Sequence, residues 1–302
     1  MELRVLNYFL TVAREKTISR AADVLHLSQP TLSKQLKELE EELGVTLFIR
    51  GNRSITLTED GLYLANRGKE ILSLVELTTS NLLQNETISG KIMIGAAETR
   101  GFEFIGSLLH ELREKHPDIT FQLHSGNADD VLEKIEHGLL DFGLVINPVE
   151  KLQYDYLPLT IEDTWGILVN TKHPLAKKTV VTPSDIETNP IVVSNQSFID
   201  NQLASWLGGH FEQLNVIGRY NLLYNASLLA KENIASILCI DGIINTENTN
   251  LKFIPFSPPL TAGLSIVWKK NQTFSSASKE FLRLIQKLAQ NKSFEQVFFL
   301  YI

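Results

Sequence analysis

Residues 18–43 read ISRAADVLHLSQPTLSKQLKELEEEL, two runs of helical period separated by a three-residue break. Ile18, Ala21, Ala22 and Leu25 recur at three- and four-residue spacing, which makes one apolar stripe and predicts a helix over about 18–25. The small Ala21 and Ala22 let another helix cross closely. His26, Leu27 and Ser28 break the pattern, and Ser28 is a favoured N-cap, its hydroxyl able to accept from an orphan amide of the next helix. Pro30 falls in that helix's first turn, where its missing N–H costs nothing. Leu32, Leu36, Leu39 and Leu43 then share one face at about 100° per residue, so Pro30, Lys34, Lys37 and Glu41 turn outward, flanked by Thr31 and Ser33. The outer surface is polar and basic over its first half and acidic over its second, where Glu38, Glu40, Glu41 and Glu42 lie. Such a helix approaches phosphates by its N-terminal half, where free amides and the positive end of the dipole also point.

Gly44 is a natural helix stop. Beyond it VTLFIRGNRSITLTEDG, residues 45–61, places two short apolar runs around Arg50, Gly51, Asn52 and Arg53, a hairpin signal. The hairpin makes a wing with two arginines at its tip, beside a helix-turn-helix.

With these motifs in place, residues 1–62 resemble the DNA-binding domain of the LysR-type transcriptional regulators. FLTVAREKTISRAADVLHLSQPTLSKQLKELEEELGVTLFIR, residues 9–50, follows that family's pattern almost throughout, in the AA pair, the SQP turn, the LE and LG pairs and the LF-x-R entry to the wing. The resemblance implies DNA contacts from Gln29, Pro30, Thr31, Ser33, Lys34 and Lys37 of the helix and from Arg50 and Arg53 of the wing.

The 302 residues hold 28 Lys and Arg against 35 Asp and Glu, a net charge of −7 that is wrong for a general nucleic-acid binder. The distribution reconciles the two: residues 1–57 carry +1, 58–86 carry −3 and the remainder −5. A small positive surface on an acidic body suits a protein that binds few sites and leaves bulk DNA alone, because non-specific affinity scales with phosphates neutralised. MELRVLNYFL runs straight into an amphipathic pattern without the marks of an export signal, and no stretch reaches the length of a membrane span. The one cysteine, Cys239, lies in the apolar run IASILCI, where a buried, inert thiol is expected. A cytoplasmic location, with no membrane partner, is the expectation.

A helix is predicted from Thr58, an N-cap followed by Glu59 and Asp60, to about Glu86. Leu64, Gly68, Ile71, Val75, Thr78 and Leu82 step by four and three, a heptad-like seam that either packs on its own domain or meets a second copy of the chain. In the family it resembles, the corresponding helix pairs two chains, and a two-fold dimer implies a pseudo-palindromic site.

Residues 87–90, TISG, form a hinge, after which strands and helices alternate: KIMIGA, FEFIGSLLHELREKHP, ITFQLHSG, DDVLEKIEHG and LDFGLVI predict two βα crossovers and a parallel sheet. A second strand-and-helix set follows through LPLTIEDTWGILVNTKHPLAKKTVVTPSDIETNPIVVS, with helices near residues 201–213 and 226–232, and the chain returns through LSIVWKK to a closing helix, SKEFLRLIQKLAQ. Two lobes joined by two crossings enclose a cleft. The resemblance assigns this part to an effector-binding domain shaped like the periplasmic solute-binding proteins, weakening from about Val216. AKENIAS, residues 230–236, has no glycine where the family usually carries a glycine-rich turn.

The expected fold is therefore α/β with an N-terminal winged helix-turn-helix (1–58), a linker and dimerisation helix (59–87), and a two-lobed periplasmic-binding-protein-like effector domain (88–302). Its first lobe would span 91–161 and 266–302, and its second 162–265. Ligands of such domains sit where strand ends meet helix N-termini. Glu98, Thr99 and Arg100, Ser125 and Asn127, and Ser194 and Asn195 occupy three such junctions, and Thr99, Asn127 and Ser194 serve either as polar ligand contacts or simply as helix caps. Glu98 and Arg100, where the family more often has uncharged residues, either favour a polar effector, Glu98 a cationic one, or are exposed rim charges.

No GxSxG elbow, P-loop or GxGxxG occurs, and His110 and His116 stand about 240° apart on their helix, so they cannot clamp one metal. No catalytic residue, metal site or cofactor is expected beyond an unidentified small-molecule effector. The expected function is a sequence-specific DNA-binding transcriptional regulator controlled by that effector between its lobes. The expected partners are double-stranded DNA at a pseudo-palindromic promoter site, the chain itself as homodimer or homotetramer, and RNA polymerase. The apolar ending FEQVFFLYI should pack on its own domain or on a neighbouring chain.

Overall fold

A computed structural model describes residues 1–51, 54–82, 88–147, 153–187, 189–195, 203–209 and 211–290, in two units of which the first is Met1–Leu83. In that unit α1 (Leu3–Glu15) buries Val5, Leu6, Phe9 and Val12 along one stripe. It packs on α2 (Ile18–Val24) and α3 (Gln29–Leu43) through Ala21, Ala22, Leu32, Leu36 and Leu39. Between α2 and α3, His26 takes the left-handed conformation at φ 53, and the Leu27 amide returns to the Ala22 carbonyl at 2.9 Å. Ser28 is the N-cap, its Oγ accepting from the Thr31 amide at 3.3 Å. Leu43, the last leucine of the inward face, is 39% exposed, because the buried cluster ends at Leu39 and Gly44 turns the chain away at φ 70.

Strands β1 (Phe48–Arg50) and β2 (Ile55–Leu57) pair antiparallel, Phe48 opposite Leu57, and the Gly51 amide donates to the Ser54 carbonyl at 3.0 Å beneath the hairpin tip. Arg53, in that tip, lies outside the described residues. Glu40 sets the wing against α3: its Oε1 accepts from the Leu47 amide at 2.6 Å and the Phe48 amide at 3.2 Å. Phe48 then rests on Phe9, ring centroids 5.1 Å apart.

Thr58 caps α4 (Glu59–Leu82), its Oγ1 accepting from the Gly61 amide at 3.0 Å. A Cβ on Gly61 would stand 2.2 Å from the Leu47 carbonyl oxygen, so only glycine lets the helix pass that close. The seam expected along α4 divides. Leu64 and Ile71 pack on the core of their own unit and Gly68 faces Leu6, whereas Val75 is half-buried and Thr78 exposed; outside the seam Leu62, Tyr63 and Leu74 are exposed as well. The end of the expected helix, residues 83–87, lies outside the described residues.

The second unit opens with β3 (Gly90–Ala96), α5 (Phe102–Lys115), β4 (Ile119–Ser125), α6 (Ala128–Glu136) and β5 (Phe142–Ile146). Both β4 and β5 run parallel to β3, one on each side, as two βα crossovers require. The 17-residue β6 (Tyr154–Asn170) follows, then α7 (Pro183–Ile186), β7 (Ile191–Ser194), β8 (Val216–Tyr220), α8 (Leu223–Lys231) and β9 (Ser236–Ile240). The chain closes through β10 (Leu251–Pro255), β11 (Thr261–Lys269) and α9 (Ser276–Gln290).

The strand order is β4-β3-β5-β11-β6-β9-β7-β8, with β10 also on β6. Strand β6 changes partner along its length: up to Thr164 it pairs with β11, and from Trp165 with β9 and from Gly166 with β10. Strands β6 and β11 thus belong to both lobes. Of the helix expected over 201–213, residues 203–206 are helical and Phe211–Gln213 form a 3₁₀ turn, and part of the span lies outside the described residues, as does the tail 291–302. After α8, where no glycine is available, Asn233 makes the turn at φ 56; asparagine tolerates that region better than most residues.

Helix α9 docks through Phe281 on Phe142, centroids 5.1 Å apart, and through a buried polar anchor. Asp141 Oδ2 accepts from the Met93 amide at 2.9 Å and from Ser278 Oγ at 3.0 Å. Burial outweighs these bonds and raises the Asp141 pKa.

Two outcomes are expected. Glu40→Ala strands two wing amides and should destabilise the first unit by about 2 kcal/mol, with Glu40→Gln, which keeps an acceptor oxygen, losing less; urea midpoints read both. For Asp141 the folded pKa lies above the unfolded one, so its contribution is most favourable below about pH 4 and is lost as pH rises through the folded value. Asp141→Asn abolishes that titration, so the stability of the wild type relative to the variant should fall over this window and level off above it in urea titrations.

Candidate DNA-reading face and effector cleft

On α3 the side chains of Pro30, Thr31, Lys34 and Lys37 are exposed and Ser33 is half-buried, turned from Leu32, Leu36 and Leu39, while Gln29 is exposed at the very start of the helix. Thr31 Oγ1 lies 2.7 Å from Ser28 Oγ. Lys34 Nζ stands 3.7 Å from Glu38 and Lys37 Nζ 3.3 Å from Glu41, exposed i,i+4 pairs worth only a few tenths of a kcal/mol and readily exchanged for phosphate. The helix start thus presents hydroxyl, amide and ammonium groups, and its acidic half begins one turn later. Arg50 closes β1, on the wing.

In the second unit, three consecutive residues after β3 reach away from their own lobe. The Glu98 carboxylate accepts from the Leu223 amide at the start of α8, where the N-cap residue Leu222 offers no side-chain cap. Thr99 Oγ1 accepts from the Gly101 amide at 2.9 Å and donates to Asp163 Oδ2 at 2.5 Å on the shared strand β6. Asp163 is 5% exposed; burial raises its pKa, against the pull of the Thr99 bond and the Arg100 charge. Arg100 lies on the loop after β9: a Cβ on Gly242, at φ 75, would fall 1.9 Å from Arg100 Cδ.

Asn127 does two things at once. Its Oδ1 caps α6 by accepting from the Asp130 amide at 2.9 Å, and its Nδ2 donates across the cleft to Asn195 Oδ1 at 3.3 Å. Ser194 is buried at the end of β7 and lines the cavity between the lobes. Ser125 is exposed at the end of β4, and it is the neighbouring Gly126 that borders the cavity. The cleft therefore gathers Glu98 and Ser194 on one cavity, with Thr99, Arg100, Asn127 and Asn195 fastening the lobes around it.

That cavity measures about 30 Å³, room for a water molecule and not for a metabolite. Its walls include residues that spacing arguments missed, Trp165, Tyr220 and Leu223. Trp165 is 2% exposed, and its indole N–H has no hydrogen-bond partner among the described residues. The Tyr220 hydroxyl donates to the Leu238 carbonyl at 2.9 Å, and burial pushes its pKa up. Only the position of Trp165, in the TWGILV run where the chain passes between lobes, could have marked it. Cys239 is 1% exposed, and burial raises its thiol pKa far from the reactive range.

Comparison with known proteins bears on both surfaces. Residues 3–62 match the bacterial regulatory helix-turn-helix proteins of the lysR family, and residues 85–290 match the LysR substrate binding domain. The Hca operon transcriptional activator HcaR of Escherichia coli K12 is 28% identical over 95% of this chain and 98% of its own. The transcriptional regulator AlsR of Bacillus subtilis is 33% identical over 64% of each chain. Among solved structures, full-length CbnR in complex with its target DNA superposes with a TM-score of 0.74 at 18% identity, covering 95% of this chain and 99% of that one. HinK, a LysR family regulator from Pseudomonas aeruginosa, gives 0.55 at 19% identity, covering 96% and 99%. A helix-turn-helix with its wing and a two-lobed domain, each matched over nearly its whole length, make this chain a member of the LysR family of transcriptional regulators, with a DNA-binding head and an effector-binding domain.

Proposed function

We propose that the chain regulates transcription by placing the first two turns of α3 in the major groove of a promoter, with the wing on the neighbouring backbone. The exposure of Gln29, Pro30, Thr31, Lys34 and Lys37 together, beside a helix end capped by Ser28, supports this reading most directly. Thr31, Ser33 and Gln29 supply base-edge contacts, Lys34 and Lys37 reach bases or phosphates, and Arg50 and Arg53 hold the backbone. The acidic half of α3, from Glu38 on, stays outside the groove.

Two heads are needed for a pseudo-palindromic site, and α4 is where a second copy would pair. A groove of about 600 Å³ between α1 and α4, bordered by Leu10, Leu62 and Leu72 and by Arg14, Lys69 and Glu76, offers that partner a mixed apolar and charged face. A homodimer, or a homotetramer built from two of them, follows, working in the cytoplasm and acting on RNA polymerase at the promoter. No helix among the described residues is long and apolar enough to cross a membrane.

A small-molecule effector enters between the lobes and is sensed by Glu98, Thr99, Arg100, Asn127, Ser194 and Asn195, with Gly126 at the cavity in place of the exposed Ser125. Because the cavity is nearly shut, binding requires the lobes to part, and the ligand can shift the assembly only by its differential affinity for the two arrangements.

Lys34→Ala and Thr31→Ala should each relax sequence choice, a good base contact being worth about 1–3 kcal/mol. Arg53→Ala should weaken binding to all sequences alike. Titrating promoter and scrambled duplexes at fixed salt gives the ratio for each variant; equal ratios in all three would defeat the assignment, and failure to prefer any promoter fragment would defeat the function.

A further inference from the structure

The cleft is closed on a ligand of the chain's own. Glu98 leaves the carboxyl end of β3 in one lobe, and its carboxylate sits on the first amide of α8 in the other. Helix α8 is nine residues long, with no side chain of its own capping it. Its positive end is satisfied from across the cleft. Trp165 borders the same cavity, and its indole N–H has no acceptor among the described residues; a buried donor left so costs about as much as a lost hydrogen bond. Leu223, whose amide Glu98 holds, and Trp165 border one small hole, and together their N–H groups make a donor set suited to the two oxygens of a carboxylate, of which Glu98 meets only part.

We propose that the amino end of α8 and the Trp165 indole form a carboxylate subsite, occupied in the absence of effector by Glu98 as a tethered surrogate that an effector carboxylate displaces. The inference rests on the reading of this cleft as the effector site and adds to it the chemical class of the ligand, a small organic acid. Amines are disfavoured, since the seat is lined by donors once Glu98 has left. Because Glu98 is tethered, it competes at high effective concentration, and the incoming acid prevails by also satisfying Trp165. Its displacement cuts one of the links that hold α8 to the opposite lobe, while Asn127 to Asn195 and Arg100 on Gly242 remain as links of the closed form.

The atoms that Glu98→Ala removes are those of acetate, so sodium acetate is the probe, with sodium chloride at equal ionic strength as its control. In the full-length variant the thermal midpoint should fall and acetate should restore it. The Trp165 indole ¹H–¹⁵N resonance, identified by its loss in Trp165→Phe, should move with the same half-saturation. The wild type should require about tenfold more acetate or more, since only the fraction with Glu98 displaced can bind. Restoration by chloride equal to that by acetate, or identical acetate responses in wild type and variant, overturns the proposal. Should Glu98→Ala fail to fold, Glu98→Gln carries the same comparison, a lower acetate half-saturation than wild type supporting the subsite and an equal one removing it. Acetate rescue at Trp165 with unaltered promoter binding would leave the subsite standing and remove the regulatory role of the cleft. A promoter response to small acids that is the same with and without Glu98 would do the reverse.

Discussion

A helix begins with amides that its own hydrogen-bond ladder does not reach, and in this chain each helix at the two candidate sites depends on who answers for them. Ser28 does so for α3, Thr58 for α4 and Asn127 for α6, each from the residue just before the helix. For α8 the answer comes from Glu98, more than a hundred residues earlier in sequence and in the other lobe. The first three caps are local and make rigid parts. The last is long-range, and it turns a matter of helix stability into a bond between lobes.

The two lobes need such bonds because what joins them covalently is slender. Strands β6 and β11 are the shared elements, and β6 trades one set of neighbours for another between Thr164 and Trp165. Thr99 on Asp163 and Trp165 in the cavity wall stand at that exchange, so a change in the cleft acts directly on the strands about which the lobes would turn. Asp163, buried and raised in pKa, would be costly there as a lone charge, and Thr99 and Arg100 offset part of that cost.

The local parts could be read from the sequence, because short-range chemistry determines them. The 3.6-residue stripe of Ile18, Ala21, Ala22 and Leu25, the cap at Ser28, the stop at Gly44 and the hairpin around Gly51 all appear in the described residues within a residue or so. So do the two βα crossovers. What eluded the sequence was contact between distant segments. Nothing near Glu98 announces Leu223, and nothing near Gly68 says that it faces Leu6 across α1 instead of a second chain. Asn127 was legible as a cap, but not its second bond to Asn195. The missing glycine after α8 was visible, whereas its replacement by Asn233 at positive φ required the backbone itself.

The ion pairs along α3 have a consequence for selectivity. Lys34 and Lys37 pair with Glu38 and Glu41, so in the proposed complex each lysine that met a phosphate would leave a carboxylate to take up a cation, and the net counterion release would be smaller than for a bare lysine. On the proposed reading such a helix would be slightly muted toward arbitrary sequence and would keep its base-edge contacts where they match. For an acidic regulator searching a whole chromosome, that muting shortens the time wasted on the wrong address.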